Sequence, residues 1–167
     1  DVIFGPVTTI KQIRTAKENR KLAAFFGKQD ANFLKGNLAS LPVYYRLGLR
    51  IIQPVHNGRN LYADTCEERS PGGLSDLGVK LVEEMNKLNM IFDASHLCTK
   101  SSLDGIETSD FPVCTHSNAR SVCDNVRNRT DEEITALAEK DGVLGIVTYP
   151  SFVKWTDTAK GQRPTIE

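Results

Sequence analysis

Three histidines carry most of the chemistry this sequence offers. They are His56, His96 and His116, and the 167-residue chain has no others. Each ends a short apolar run: residues 49–55 (LRIIQPV), 90–95 (MIFDAS) and 111–115 (FPVCT). A neutral imidazole ligates zinc and other divalent metals, and it serves as a general acid or base near neutral pH. His96 and His116 lie 20 residues apart, about the length of one helix-plus-strand repeat. If the runs are neighbouring parallel strands, the two rings meet at one rim. No compact H-E-x-x-H motif is present, so any metal ligands are spread over separate segments.

Other polar residues follow the same runs. Gln29 and Asp30 follow residues 21–27 (KLAAFFG), Asn57, Asn60 and Asp64 follow His56, and Ser117, Asn118, Arg120, Arg127 and Asn128 follow His116. Most belong to types that form turns and cap helices. Asp93 differs, because it sits inside an apolar run three residues before His96. A carboxylate buried there needs partners. It is suited to orienting a metal ligand from behind rather than to binding metal.

The elements that must position these groups alternate in type. Helical spacing is expected over residues 9–19, over 34–45 with a kink at Pro42, over 75–87, over 101–109 and over 130–140. The last opens on Thr130-Asp131-Glu132-Glu133, a capping box in which Thr130 and Glu133 satisfy each other's backbone amides. Strands are expected at 21–27, 49–55, 90–95, 111–115 and 143–149. They are short and apolar on both faces, the mark of a parallel sheet covered by helices. Two architectures fit, a doubly wound open sheet and a (β/α)8 barrel, and in both the carboxyl ends of the strands carry the site. No G-x-G-x-x-G follows the first strand, so dinucleotide binding is not supported.

Bulk properties narrow the classes. The 21 basic and 21 acidic residues cancel and are spread along the chain, so no stripe points to nucleic acid. No run is long and apolar enough to span a membrane. Of the four cysteines, Cys98 and Cys114 lie in or beside apolar runs and are expected to be buried thiols. No C-x-x-C spacing suggests a zinc ribbon. The chain starts at Asp1 without a methionine, which leaves targeting and compartment open. Asn128-Arg129-Thr130 is a glycosylation sequon, but Thr130 is expected to act as a helix cap.

Three stretches, "GLSDLGVKLVEEMNKLNMIFDASH", "THSNARSVCDNVRN" and "HNGRN", closely resemble the membrane dipeptidase (renal dipeptidase) family, peptidase family M19. The ordered likeness runs from about Lys11 to Tyr149. It implies an α/β fold, part of a (β/α)8 TIM-type barrel of the amidohydrolase kind. It also implies hydrolysis of dipeptides by a pair of zinc ions and a bridging hydroxide. Carried over by position, His96 and His116 match the histidines that ligate one zinc. His56 matches a histidine that polarises the scissile carbonyl, and Arg127 matches an arginine that holds the substrate carboxylate. Gln29 stands where the family places a glutamate bridging the two metals, with Asp30 one residue along.

The family's first-strand H-x-D pair and its late aspartate have no counterpart here. The chain therefore reads as strands three to seven of such a barrel, a single partial domain over residues 1–167. The leading expectation is a zinc-dependent dipeptidase with a dipeptide substrate and a possible homodimer. The alternatives are a metal-poor or non-catalytic homologue that binds a ligand or partner, and a related amidohydrolase acting on a non-peptide amide or lactone.

Overall fold

Apolar runs alternating with amphipathic helices can bury both by forming a parallel sheet with helices laid over it. In the computed structural model, which describes residues 3 to 154, five strands do this. They are β3 (Phe26–Gln29), β4 (Leu49–Gln53), β5 (Ile91–Asp93), β6 (Pro112–Ser117) and β7 (Val143–Ile146). All neighbours are parallel and the spatial order equals the chain order. No reversal of strand order occurs among the described strands, so the sheet has the winding of a barrel segment and not of a doubly wound sheet. A separate parallel pair joins β1 (Ile3–Phe4) to β2 (Leu22–Ala23).

Three amphipathic helices cross over between successive strands: α3 (Asp76–Lys87), α4 (Thr99–Thr108) and α5 (Asp131–Glu139). Each starts on a side-chain cap, from Ser75, Cys98 and Thr130. The Thr130–Glu133 capping box is present in full. Ile52, Phe92 and Cys114 point from the sheet into one core with Leu81, Met85, Ile106 and Leu137 from these helices. Close approach of α4 depends on Gly105, since a Cβ there would sit 2.1 Å from the Phe92 ring.

Side chains alternate along a strand, so the opposite face is set by register. Gly27, Ile51 and Ile91 lie side by side, and Asp93 lies beside Val113. Two residues further along, Gln29, Gln53 and Asp93 therefore stand side by side at the carboxyl ends of three strands, and Thr115, two residues past Val113 on the same face of β6, hydrogen-bonds to the Asp93 carboxylate.

Several expectations need correction. The strand expected over 21–27 is two pieces, because Leu22–Ala23 pairs with β1 while Phe26–Gln29 pairs with β4. Gln29 is thus the last residue of β3 and not part of the loop after it. The helix expected over 34–45 consists of two short 3-10 turns, Ala31–Leu34 and Leu38–Ser40, followed by α2 (Leu41–Arg46). Pro42 lies in the first turn of α2, where its missing amide costs nothing, so it starts a helix instead of kinking one. The first helix, α1, runs Ile10–Glu18. The last strand ends at Ile146, and a single turn, α6 (Pro150–Val153), follows. The outer strands are not covered on both faces: Phe26, Val143 and Ile146 are exposed. The ends of the expected 1–167 domain lie outside the described residues.

Candidate active site

The three histidines converge as their spacing suggested. His56 follows β4 and His96 follows β5, while His116 is the next-to-last residue of β6 and not beyond it. The ring centroids of His56 and His96 are 4.6 Å apart, and those of His96 and His116 are 5.0 Å apart. The Nε2 atoms of His96 and His116 face each other at 3.0 Å.

The backbone is arranged to present His96. Its φ is +72°, in the left-handed region that a residue with a Cβ avoids. Such a conformation costs on the order of 1–3 kcal/mol and persists only where the surroundings enforce it. Here the His96 carbonyl accepts from the Cys66 amide at 2.9 Å, and Leu97 pairs with Thr65 in an isolated bridge. The long loop after His56 thus clamps the segment that bears His96. The His96 Nδ1 lies 2.9 Å from the His56 carbonyl oxygen. A carbonyl only accepts, so this network places the proton on Nδ1 and leaves Nε2 with a bare lone pair.

This geometry suits a metal ion. Two imidazoles on one tetrahedral zinc, with Zn–N near 2.05 Å, have nitrogens about 3.3 Å apart. The observed 3.0 Å is close to that value. Burial, then the charge of Arg127, push the His96 imidazole down to about 3, and burial also lowers His116. Both rings are therefore neutral and ligand-ready at neutral pH. Among the described residues, however, no group of three or more His, Cys, Asp or Glu side chains is placed to hold a metal ion. The described residues offer two facing imidazole nitrogens.

Arg127 lies beside this pair. Its side chain is buried, with residue exposure of 7%, and its guanidinium carbon stands 5.2 Å from the Phe152 ring centre. Its Nη1 has no partner among the described residues. Burial disfavours its charge and lowers its pKa. A buried cation with an unused donor is suited to a carboxylate that arrives with a ligand.

Gln29 stands level with Gln53 at the end of the sheet, two strands from β5, and no hydrogen bond links it to the histidines among the described residues. Asp30 is occupied elsewhere. It caps the following turn through the Asn32 amide at 2.9 Å and accepts from Asn60 Nδ2 at 3.0 Å. Asn118 and Asn128 fasten the chain after β7, both donating to the Phe152 carbonyl. Asn128 is fully buried, so the sequon is closed to an oligosaccharide in this fold. Arg59 and Asp64 of the loop form a bidentate pair with each other. Cys98 and Cys114 are buried free thiols as expected, and so is Cys123.

Three further residues shape the site, of which only Asp93 stood out in the sequence. Asp93 accepts from Ser95 N at 3.0 Å, Thr115 N at 3.0 Å and Thr115 Oγ1 at 2.5 Å. Thr115 Oγ1 in turn lies 2.7 Å from His116 Nδ1. Arg129, fully buried, donates to the carbonyls of Leu97 and Arg127. The position of Asp93 inside an apolar run was a usable signal, whereas Thr115 looked like an ordinary strand end and Arg129 like an ordinary loop residue.

Comparison with known proteins agrees with this geometry. Residues 2–166 match the family model for membrane dipeptidase, peptidase family M19. Dipeptidase tcpJ of Claviceps purpurea is 32% identical over 150 residues, which is 88% of this chain and 34% of that protein. The chain spans about a third of the length of the first curated relatives it matches. A metallopeptidase from Rhodobacter sphaeroides, solved with a phosphinate mimic of the dipeptide L-Ala-D-Ala, superposes with a TM-score of 0.83 at 28% identity, over 89% of this chain and 44% of that one. The probable dipeptidase PvdM of Pseudomonas aeruginosa gives 0.87 at 27% identity, over 95% and 42%. With the barrel-type winding, these likenesses show that the chain belongs to the membrane dipeptidase family, peptidase family M19.

Proposed function

We propose that the protein carrying this chain is a zinc-dependent dipeptidase, and that the chain supplies the histidine side of its active site within a larger barrel domain. The observation that carries the reading is the facing pair of Nε2 atoms on His96 and His116. A zinc ion bound there supplies Lewis-acid polarisation and makes an attacking water acidic enough to act at neutral pH.

The chain's own residues bind and orient. His96 and His116 hold the ion through Nε2. Arg127 holds the free carboxylate of the dipeptide with its unused Nη1. That contact favours dipeptides over longer chains, because a further residue would occupy the place of the carboxylate. His56 stands beside His96, where it donates to the oxygen of the scissile carbonyl as negative charge develops on it.

One observation favours a second reading, a metal-poor homologue that binds a ligand without turnover. Gln29 is a neutral amide where a bridging carboxylate would be needed. One experiment separates the two. The purified protein is analysed for bound metal, then assayed on free dipeptides, C-terminally amidated dipeptides and lactones, before and after chelation. Metal-dependent hydrolysis confined to free dipeptides supports the enzyme. Saturable dipeptide binding without turnover in the metal-loaded protein supports the second reading.

A further inference from the structure

We propose that Asp93 and Thr115 are positioning residues that lock the proton of His116 onto Nδ1 and so aim its Nε2 lone pair at the metal. The proposal rests on the reading of His96 and His116 as metal ligands.

The argument is one of donors and acceptors. A carboxylate only accepts, so the contact of 2.5 Å between Asp93 Oδ2 and Thr115 Oγ1 uses the threonine's single hydroxyl proton. That hydroxyl is then an acceptor toward its remaining neighbours, His116 Nδ1 at 2.7 Å and the Ser95 hydroxyl at 3.5 Å. His116 must donate from Nδ1, and its Nε2 is left unprotonated. The opposite tautomer would set a bare Nδ1 against a hydroxyl oxygen with no proton left to give.

The device is rigid. Asp93 is 3% exposed and receives three bonds from the two strand ends. Ser95 closes the circuit, its hydroxyl accepting from the His116 amide at 3.1 Å. His96 is fixed in the same tautomer by the His56 carbonyl. Two bare lone pairs thus face each other at 3.0 Å. Without a cation the arrangement is repulsive, and a cation bound by both relieves it. Thr115 therefore acts by deciding which nitrogen of His116 is free, before any metal arrives.

The first measurement is on the wild-type protein, chelated and held near neutral pH, by imidazole nitrogen NMR. The His116 signals are expected to show a protonated Nδ1 and a pyridine-like Nε2. A protonated Nε2 would overturn the proposal without any variant having to fold. Zinc affinity is then measured by competition with a chromophoric chelator for wild type, Thr115→Val, Thr115→Ser and His116→Ala. Loss of such an outer partner weakens metal binding about 10–100-fold, and Thr115→Val is expected to fall in that range. Thr115→Ser keeps the hydroxyl and is expected to restore affinity to within a few-fold. Wild-type affinity in Thr115→Val, with affinity lost in His116→Ala, would overturn the positioning role alone. Unchanged affinity in His116→Ala would overturn the metal-site reading itself.

Discussion

Arg129 and Glu133 form an ion pair 2.8 Å long in which each side chain is only 1% exposed. The pair joins the start of α5 to the site. Arg129 also donates to the Leu97 carbonyl at 3.0 Å, next to His96, and to the Arg127 carbonyl at 3.3 Å. Glu133 accepts from the Thr130 amide at 2.9 Å with its other oxygen, and from Thr99 at the start of α4. One buried pair thus ties two helices to the segments carrying His96 and Arg127.

Breaking such a pair leaves a charge buried without its partner, which costs about 3–5 kcal/mol. Arg129→Met is expected to lower the unfolding free energy by that amount, read as a lower urea midpoint, and to weaken zinc binding as the His96 segment loosens. Chemical denaturation with an unchanged slope checks the first part. A loss below about 1 kcal/mol would mean that the neighbouring backbone and water replace the pair.

Much of this was legible in the sequence and some was not, for physical reasons. The histidines were legible because a rare polar type recurred after apolar runs, and parallel strands bring such positions to one rim. The helix at 130–140 was legible because a capping box is local. Glu133 was legible only as a cap. Its pairing with Arg129 has a local i,i+4 spacing, but the burial of that pair depends on how α5 packs against α4 and β7, which the spacing does not record. The segment 21–27 misled because two short strands with different partners ran together in one apolar stretch. Pro42 misled because a proline inside a periodic run and one at its first turn look alike until the helix start is known. Gln53, buried beside Gln29 with its side-chain oxygen unpartnered among the described residues, gave no sign at all.

Gly105 is predicted to be intolerant of even one methyl group. In an exposed helix, glycine to alanine would gain up to about 1 kcal/mol of helix propensity. Here the new Cβ would meet the Phe92 ring at 2.1 Å, and that ring is fully buried and hemmed in by the core. Overpacking of this kind costs about 1–3 kcal/mol, so Gly105→Ala is expected to destabilise on balance. Thermal unfolding is the measurement, and a raised midpoint would show that α4 can move off the sheet.

The metal-free protein is predicted to lose stability as pH falls below about 6.5. His96 titrates at about 3 in the fold against an ordinary 6.5, chiefly because burial disfavours its charged form. Between those values the unfolded chain binds the proton and the folded chain does not. Stability therefore rises with pH across that window and levels off above it. A single group contributes at most about 1.4 kcal/mol per pH unit. Urea midpoints of chelated protein from pH 7 down to pH 5 should fall, and His96→Gln should flatten the slope. Excess zinc should hold stability up at pH 7, and less so near pH 5 as protons compete for the same nitrogens.

Arg127 is predicted to decide substrate length. Its guanidinium is buried, so it cannot trade a ligand for bulk water without loss, and its free Nη1 has no protein acceptor among the described residues. A carboxylate would take two parallel bonds from it, and a hydrogen bond to a charged group is worth about 1.5–3 kcal/mol. Arg127→Lys keeps the charge and loses the fork, so kcat/KM on free dipeptides should fall about 10–100-fold, mainly through KM. The diagnostic comparison is with C-terminally amidated dipeptides. Wild type should reject them strongly, because the amide presents donors to a donor. The lysine variant should discriminate far less, having lost the contact that recognises the carboxylate. Equal discrimination by both proteins would place carboxylate recognition on another residue and leave Arg127 as a buried charge that tunes His96 from the side.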